Sequence, residues 1–369
     1  MSIKVWDYLQ EFESEKKEIM NSIDEVLKSG YLILGERVRR FEESFSAYCN
    51  CKFGVGVGNG TDAIFLALKS INIGQGDEVI TVSNTAVPTV SAITATGAKP
   101  VFADVEPDSF LIDTEKIERS ITSRTKCILP VHLFGQCAKM NRINEIAQKN
   151  NLFVLEDCAQ SHGAEFEGKK AGSMSHLAAF SFYPTKILGG YGDGGMVITD
   201  NPDLYQKLRR LRFYGMEKTY YSLEQGYNSR LDELHASILL GKLNHLDEYI
   251  AKRRRLAQNY DTFLKNTSLI LPTESAGRKH AYYLYVVRHP RRDLIMEELK
   301  KRDIFVNISY PWPIHTMSGF ADLGYRKGDL PVTEQLADEI FSLPLYPSLS
   351  DDEQERVIDA LLDILNIIQ

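Results

Sequence analysis

From residue 53 to residue 199 the chain repeats one unit: a short apolar or β-branched run, a turn, then a stretch with helical spacing. The runs fall at 53–57, 78–82, 101–105, 127–131, 153–155 and 194–199, with helical patterns such as 61–70 and 140–150 between them. Alternation of this kind implies parallel strands, right-handed crossovers and helices on both faces of one sheet. The chain is therefore expected in the α/β class. Ahead of the repeat, Ile19, Ile23, Val26 and Leu27 recur at helical spacing up to Gly30, a C-terminal stop residue. A second amphipathic helix carries Val38, Phe41, Phe45 and Tyr48. Beyond about residue 231 the rhythm changes. A long helical stretch over 232–263, broken near Asn244, leads to a strand at 282–287, a helix at 294–302, a strand at 304–308 and a last helix at 351–368. This predicts a large domain over 1–245 and a smaller α+β domain over 246–369.

Composition narrows the partners. With 43 basic against 50 acidic residues the net charge is −7, which disfavours nucleic acid as the main partner. The run Arg253, Arg254, Arg255 reads as a solvated helix face. The first residues lack an apolar signal core, and no run approaches the ~18 apolar residues of a membrane helix. Cys49, Cys51, Cys127, Cys137 and Cys158 form no C-x-x-C pair and read as free thiols of a reducing cytoplasm.

Three segments carry candidate chemistry. Gly58-Asn59-Gly60-Thr61-Asp62-Ala63 follows a strand and opens a helix, where free N–H groups and the positive end of the helix dipole suit a phosphate. The same residues fit a loose dinucleotide fingerprint, but the acidic residue that motif needs after the next strand is replaced by Val82-Ser83-Asn84. A tight turn with no ligand is the third reading. In Leu155-Glu156-Asp157-Cys158-Ala159-Gln160 a carboxylate sits at the end of an apolar strand. It can hold a protonated ring nitrogen, bind a metal or cap a turn. His132, Cys158 and His162 match no trusted metal spacing, so no metal is expected. In Ser181-Phe182-Tyr183-Pro184-Thr185-Lys186 a lysine lies between an aromatic strand and five glycines in the seven residues 189–195. A lysine so placed suggests an amine that forms an imine with a carbonyl compound.

In this order and spacing, with Gly226-Tyr227-Asn228-Ser229-Arg230-Leu231-Asp232-Glu233, the segments resemble the DegT/DnrJ/EryC1/StrS family of sugar aminotransferases. The resemblance runs from Gly30 through Pro311. It implies the aspartate-aminotransferase-like fold, type I of the pyridoxal-phosphate enzymes, with a mostly parallel seven-stranded sheet in the large domain. It implies pyridoxal 5′-phosphate as cofactor, Lys186 as the catalytic residue that carries it, and Asp157 paired with the pyridine nitrogen. Gln160 matches the partner of the ring hydroxyl; Gly60, Thr61, Asp62 and Ser181 match the phosphate cradle. Asn228 matches a residue serving the neighbouring subunit's cofactor, which implies a homodimer with shared sites. The implied reaction aminates a nucleotide-linked keto-sugar with L-glutamate as donor.

The chain also departs from the family pattern. Ala86 stands where an aromatic residue usually covers the cofactor ring. Tyr183 stands at a common histidine position, and Ser309 precedes Tyr310-Pro311 where a histidine is common. Tyr183, Tyr310 and His315 are the expected substrate contacts. The opening Lys4-Val5-Trp6-Asp7-Tyr8 and the 83–88 loop are similar to the branch acting on thymidine-diphosphate 3-keto-6-deoxyhexoses. A 4-keto-6-deoxyhexose is the alternative substrate, and a regulator on the same fold is the alternative function. A sugar dehydratase of the family would carry histidine in place of Lys186.

Overall fold

The computed structural model describes residues 2–368. Helix α1 (Tyr8–Ser29) starts where the Asp7 carboxylate accepts the N–H groups of Leu9 and Gln10, and stops at Gly30, whose φ of 74° only glycine adopts without cost. Helix α2 (Glu36–Tyr48) buries Val38, Phe41 and Phe45. Its first N–H groups are capped from far away, by Glu233 accepting from Gly35, Arg37 and Val38 at 2.8–3.0 Å.

The repeat then begins. Strand β1 (Phe53–Val57) leads into α3 (Gly60–Ser70), β2 (Glu78–Val82) into α4 (Val87–Ala95), and β3 (Lys99–Ala103) into α5 (Thr114–Ser120). Next come β4 (Thr125–Ile128), α6 (Met140–Asn150), β5 (Phe153–Asp157), the small hairpin β6 (Glu165–Phe166) and β7 (Lys169–Lys170), then β8 (Leu177–Ser181) and β9 (Gly195–Thr199). Seven strands form one sheet in the order β1-β9-β8-β5-β4-β2-β3. All contacts between β8, β5, β4, β2 and β3 are parallel, whereas β9 runs antiparallel to both β8 and β1. Strands β2, β8 and β9 are buried at every residue, as a sheet covered on both faces requires.

After β9 come α7 (Pro202–Leu211), the hairpin β10 (Met216–Lys218) and β11 (Tyr221–Ser222), then α8 (Glu233–Leu243) and α9 (Leu246–Leu264). The long helix is thus broken at Asn244 and His245, as the sequence suggests. Strand β12 (Arg278–Lys279) pairs with β6, and β13 (Tyr285–Arg288), α10 (Arg292–Lys301), α11 (Pro331–Glu339), β14 (Ile340–Leu343) and α12 (Asp351–Ile367) complete the chain. A second hydrophobic cluster, with Leu256, Tyr260, Tyr285, Phe341 and Leu361, also takes in Ile3 from the opposite end of the chain.

Two expectations are corrected here. Residues 304–308 form no strand, only isolated bridges from Ile304 to Ile3 and from Asn307 to Ser342. Nor is the arginine run a solvated face. Arg253 is buried, its Nη1 donating to the carbonyls of Tyr282, Tyr283 and Leu345 at 2.9–3.3 Å, while Arg254 pairs with Glu274 and Arg255 with Asp351. All five cysteines are free and buried. Among the described residues no helix is long and apolar enough to cross a membrane.

Candidate active site

The carboxyl ends of β1, β2, β5 and β8 point to one edge of the sheet, the edge at which open α/β sheets bind ligands. A cavity of about 600 Å³ opens there, lined by Gly60, Thr61, Asp62, Thr85, Ala86, Thr89, Asp157, Gln160, Ser181, Tyr183, Lys186 and Asp193, among others. Nine residues singled out from sequence thus meet at one site.

One end of the cavity is the start of α3. Asn59 caps it, its side-chain oxygen accepting the Asp62 N–H at 2.8 Å. Helix geometry leaves the N–H groups of Gly60 and Thr61 without a partner inside the helix. Here the backbone is pressed against the sheet. A Cβ on Gly60 would sit 2.6 Å from Ser181 Cβ, and one on Gly195 would sit 2.3 Å from the Asn59 carbonyl oxygen. Glycine at both positions brings the helix start, the Ser181 hydroxyl and the first residue of β9 together. Ser229, which sequence reading did not single out, locks the same end by donating to Asp62 at 2.6 Å and accepting from Gly58 N–H at 3.0 Å.

The other end carries a buried carboxylate. Asp157, the last residue of β5, is 3% exposed. Its Oδ2 accepts from the Thr89 hydroxyl at 2.8 Å and its Oδ1 from Ala159 N–H at 3.1 Å. Burial pushes its pKa above the ordinary value; the two hydrogen bonds and the Lys186 ammonium oppose that push. Beside it, Gln160 accepts Phe134 N–H at 2.8 Å and donates to Tyr310 Oη at 2.5 Å. Tyr310 holds a left-handed backbone, φ 64°, and burial raises its phenol above the usual range. It reaches the site through Gln160.

Lys186 stands between the two ends, in the turn after β8, with its Nζ 4.7 Å from the ring centroid of Tyr283. Tyr283 also meets the Thr185 hydroxyl at 3.1 Å and was not legible as a site residue. Tyr183 is 51% exposed at the cavity wall, and Ala86 lines the cavity with only a methyl group.

Two residues lie elsewhere. His315, expected among the substrate contacts, is 2% exposed and lines a separate cavity; its ring nitrogens meet Ser83 Oγ at 2.8 Å and Glu334 at 3.0 Å. The chain turns away after Tyr310, so proximity in sequence misled. Asn228 is exposed in the loop that bridges to Phe213, outside the cavity of its own chain.

Behind Asp157, His132, Glu156 and Cys158 bring potential ligand atoms within 4.8 Å of one another. Hydrogen bonds inside the chain engage the imidazole and the carboxylate. His132 Nδ1 accepts Ala138 N–H, which puts the ring proton on Nε2, 2.8 Å from Glu156. Glu156 also accepts from Gly172 N, Met174 N and Ser175 Oγ. His162 is not part of this group. It packs among Phe45, Phe180 and Phe182, where burial drops its pKa to about 3.

Comparison with known proteins agrees with this geometry. A model of the DegT/DnrJ/EryC1/StrS aminotransferase family matches residues 13–362. The chain is 53% identical to the dTDP-3-amino-3,4,6-trideoxy-alpha-D-glucose transaminase of Micromonospora megalomicea subsp. nigra, over 99% of each chain. It is 42% identical, over 98% of each, to a pleiotropic regulatory protein of Geobacillus stearothermophilus. The crystal structure of S. venezuelae DesV in complex with a ketimine intermediate superposes with a TM-score of 0.97 at 39% identity, covering 98% of both chains. With a family match along nearly its whole length and a shared fold, the chain belongs to the DegT/DnrJ/EryC1/StrS aminotransferase family.

Proposed function

We propose that this protein moves an amino group from L-glutamate to C3 of a dTDP-linked 3-keto-6-deoxyhexose, with pyridoxal 5′-phosphate as cofactor. One observation carries the reading: a single cavity has free helix N–H groups and a serine hydroxyl at one end, a buried carboxylate at the other and a lysine between them. This donor set fits the cofactor, and the Gly60–Ser181 approach leaves no room for a side chain where the phosphate would bind. When bound, pyridoxal phosphate supplies an electron-accepting ring and a carbonyl carbon that exchanges its oxygen for nitrogen.

The residues divide the work. Gly60 and Thr61 N–H, with the Ser181 hydroxyl, hold the phosphate at the positive end of α3. Asp157 keeps the ring nitrogen protonated, and Gln160 bonds the ring hydroxyl. Lys186 would anchor the cofactor through its amine, and the same amine would be placed to act as general base and acid. Tyr183, at the cavity wall, would face the sugar, and Tyr310 would act through Gln160. In this reading residues 1–245 form the cofactor-binding unit and 246–369 a smaller one, with Ile3 reaching across, and the protein works in the cytoplasm.

The test is direct. Purified protein with pyridoxal phosphate, glutamate and dTDP-3-keto-6-deoxyhexose should yield 2-oxoglutarate and an equimolar nucleotide sugar aminated at C3, identified by NMR. Faster reaction of the 4-keto isomer would overturn the substrate. No 2-oxoglutarate with either sugar would favour a regulatory role, the description carried by the 42% identical relative.

The exposed Asn228 further supports a site completed across a two-fold dimer. Lys186→Ala and Asn228→Asp protomers, each impaired alone, should then regain activity when mixed under demonstrated subunit exchange. In such heterodimers one of the two sites carries both intact residues. The aspartate charge opposes the phosphate with about 4 kcal/mol per unit-charge pair at ~4 Å and an effective dielectric of ~20. Complete exchange without recovery would confine Asn228 to its own chain.

A further inference from the structure

The first turn of α4 faces Asp157, and the link between them was invisible in the sequence. Thr89, the third residue of the helix, puts Oγ1 2.8 Å from Asp157 Oδ2, and Thr85 Oγ1 lies 3.1 Å behind it. Both threonines are 2% exposed. A carboxylate has no proton to give, so Thr89 donates to Asp157, and its oxygen must then accept from Thr85. The chain of hydroxyls has one direction, and it ends on the carboxylate. Helix α4 adds its positive end on the same side, where its N-cap, Ala86, supplies no side-chain hydrogen bond.

We propose that Thr89, supported by Thr85, is the positioning residue that keeps Asp157 ionised and its carboxylate aimed into the cavity. This rests on the reading of Asp157 as the partner of the cofactor's ring nitrogen. The other titratable or charged groups around Asp157 are Lys186 after β8, His132 after β4, Tyr310 from the segment after α10, and Cys158 next in the chain. Thr89→Val leaves all four in place. It keeps the branched shape, removes the donor, and strands the Thr85 proton.

The experiment compares Thr89→Val, Thr89→Ser and Thr85→Val holoenzymes by pyridoxal phosphate dissociation constant, by pH titration of the bound cofactor's absorbance, and by the pH profile of kcat. Losing a donor to a carboxylate favours its protonated form. The acid limb of kcat and of the absorbance should therefore move to higher pH by about one unit in Thr89→Val, with cofactor affinity about tenfold weaker. Thr89→Ser should restore both, and Thr85→Val should give a smaller shift in the same direction. An unmoved acid limb and absorbance titration in Thr89→Val, whatever its thermal stability, would overturn the proposal. So would a serine variant no better than valine. Asp157→Asn separates the two failures. If it too leaves absorbance and rate unchanged, the reading of Asp157 has failed; if it is impaired while Thr89→Val behaves as wild type, only the role of Thr89 has.

Discussion

Lys186→Ala is expected to lower turnover by at least about a thousandfold while the protein remains folded. Positioned proton transfer alone contributes ~10²–10⁴-fold, and the amine is asked to anchor the cofactor as well. A methyl group can do neither. The fold should survive because Lys186 is half-buried in a turn, not in a strand or helix, and its ammonium lies over the face of Tyr283 rather than inside the core. The cradle of Gly60, Thr61 and Ser181 is untouched, so cofactor should still bind without a covalent link. Turnover at saturating glutamate and pyridoxal phosphate is the measurement. A rate within about tenfold of wild type, or ~1.4 kcal/mol in barrier, would remove Lys186 from the mechanism.

Asp157→Asn should also be damaging, though less so, for a reason visible in its hydrogen bonds. Both carboxylate oxygens already accept from the protein, one from Thr89 and one from Ala159 N–H. An amide has one acceptor end only. Its oxygen must stay with Ala159, whose N–H cannot turn round, so its NH₂ meets Thr89. The threonine hydroxyl must then reverse, and the charge that favours a protonated ring nitrogen is gone. Loss of a charge-assisted hydrogen bond costs about 1.5–3 kcal/mol. If that loss falls on the transition state, turnover drops by roughly 10- to 150-fold. Cofactor retention should fall less, since the phosphate end is intact. Unchanged rate and retention would make Asp157 a cap for the turn at Ala159 and nothing more.

Much of this site lies in local sequence because strand ends and helix starts are local events. Asn59-Gly60-Thr61 and Ser181 through Lys186 each belong to one strand and the turn after it, so periodicity and glycine content find them. The direction of β9 is not local. A buried apolar run has the same pattern whichever way it runs, and only pairing with β8 and β1 reveals it. Thr89 is hidden for a similar reason: in a helix it looks like any small polar residue, and its partner is 68 positions away. Strand β3 begins two residues before the expected run because Lys99 and Pro100 take their places opposite Glu78 and Val79 in the ladder. Helix α11 and strand β14 follow each other without a turn, at Glu339 and Ile340, which leaves no punctuation to read. Arg253 was misread because a charged residue was taken for a solvated one, while three carbonyls far along the chain await its guanidinium.

The place of β1 at the edge of the sheet has a consequence for how the protein comes into being. Its sheet neighbour is β9, synthesised some 140 residues later. As the chain emerges from the ribosome, strands β2 to β5 and β8 can assemble while β1 and the glycines after it wait. Only when residues 195–199 arrive can the first strand dock, carrying the start of α3 against Ser181. The part of the pocket made earliest is thus seated late, and a nascent chain stopped before β9 holds the carboxylate and the lysine without the anion cradle that would complete them.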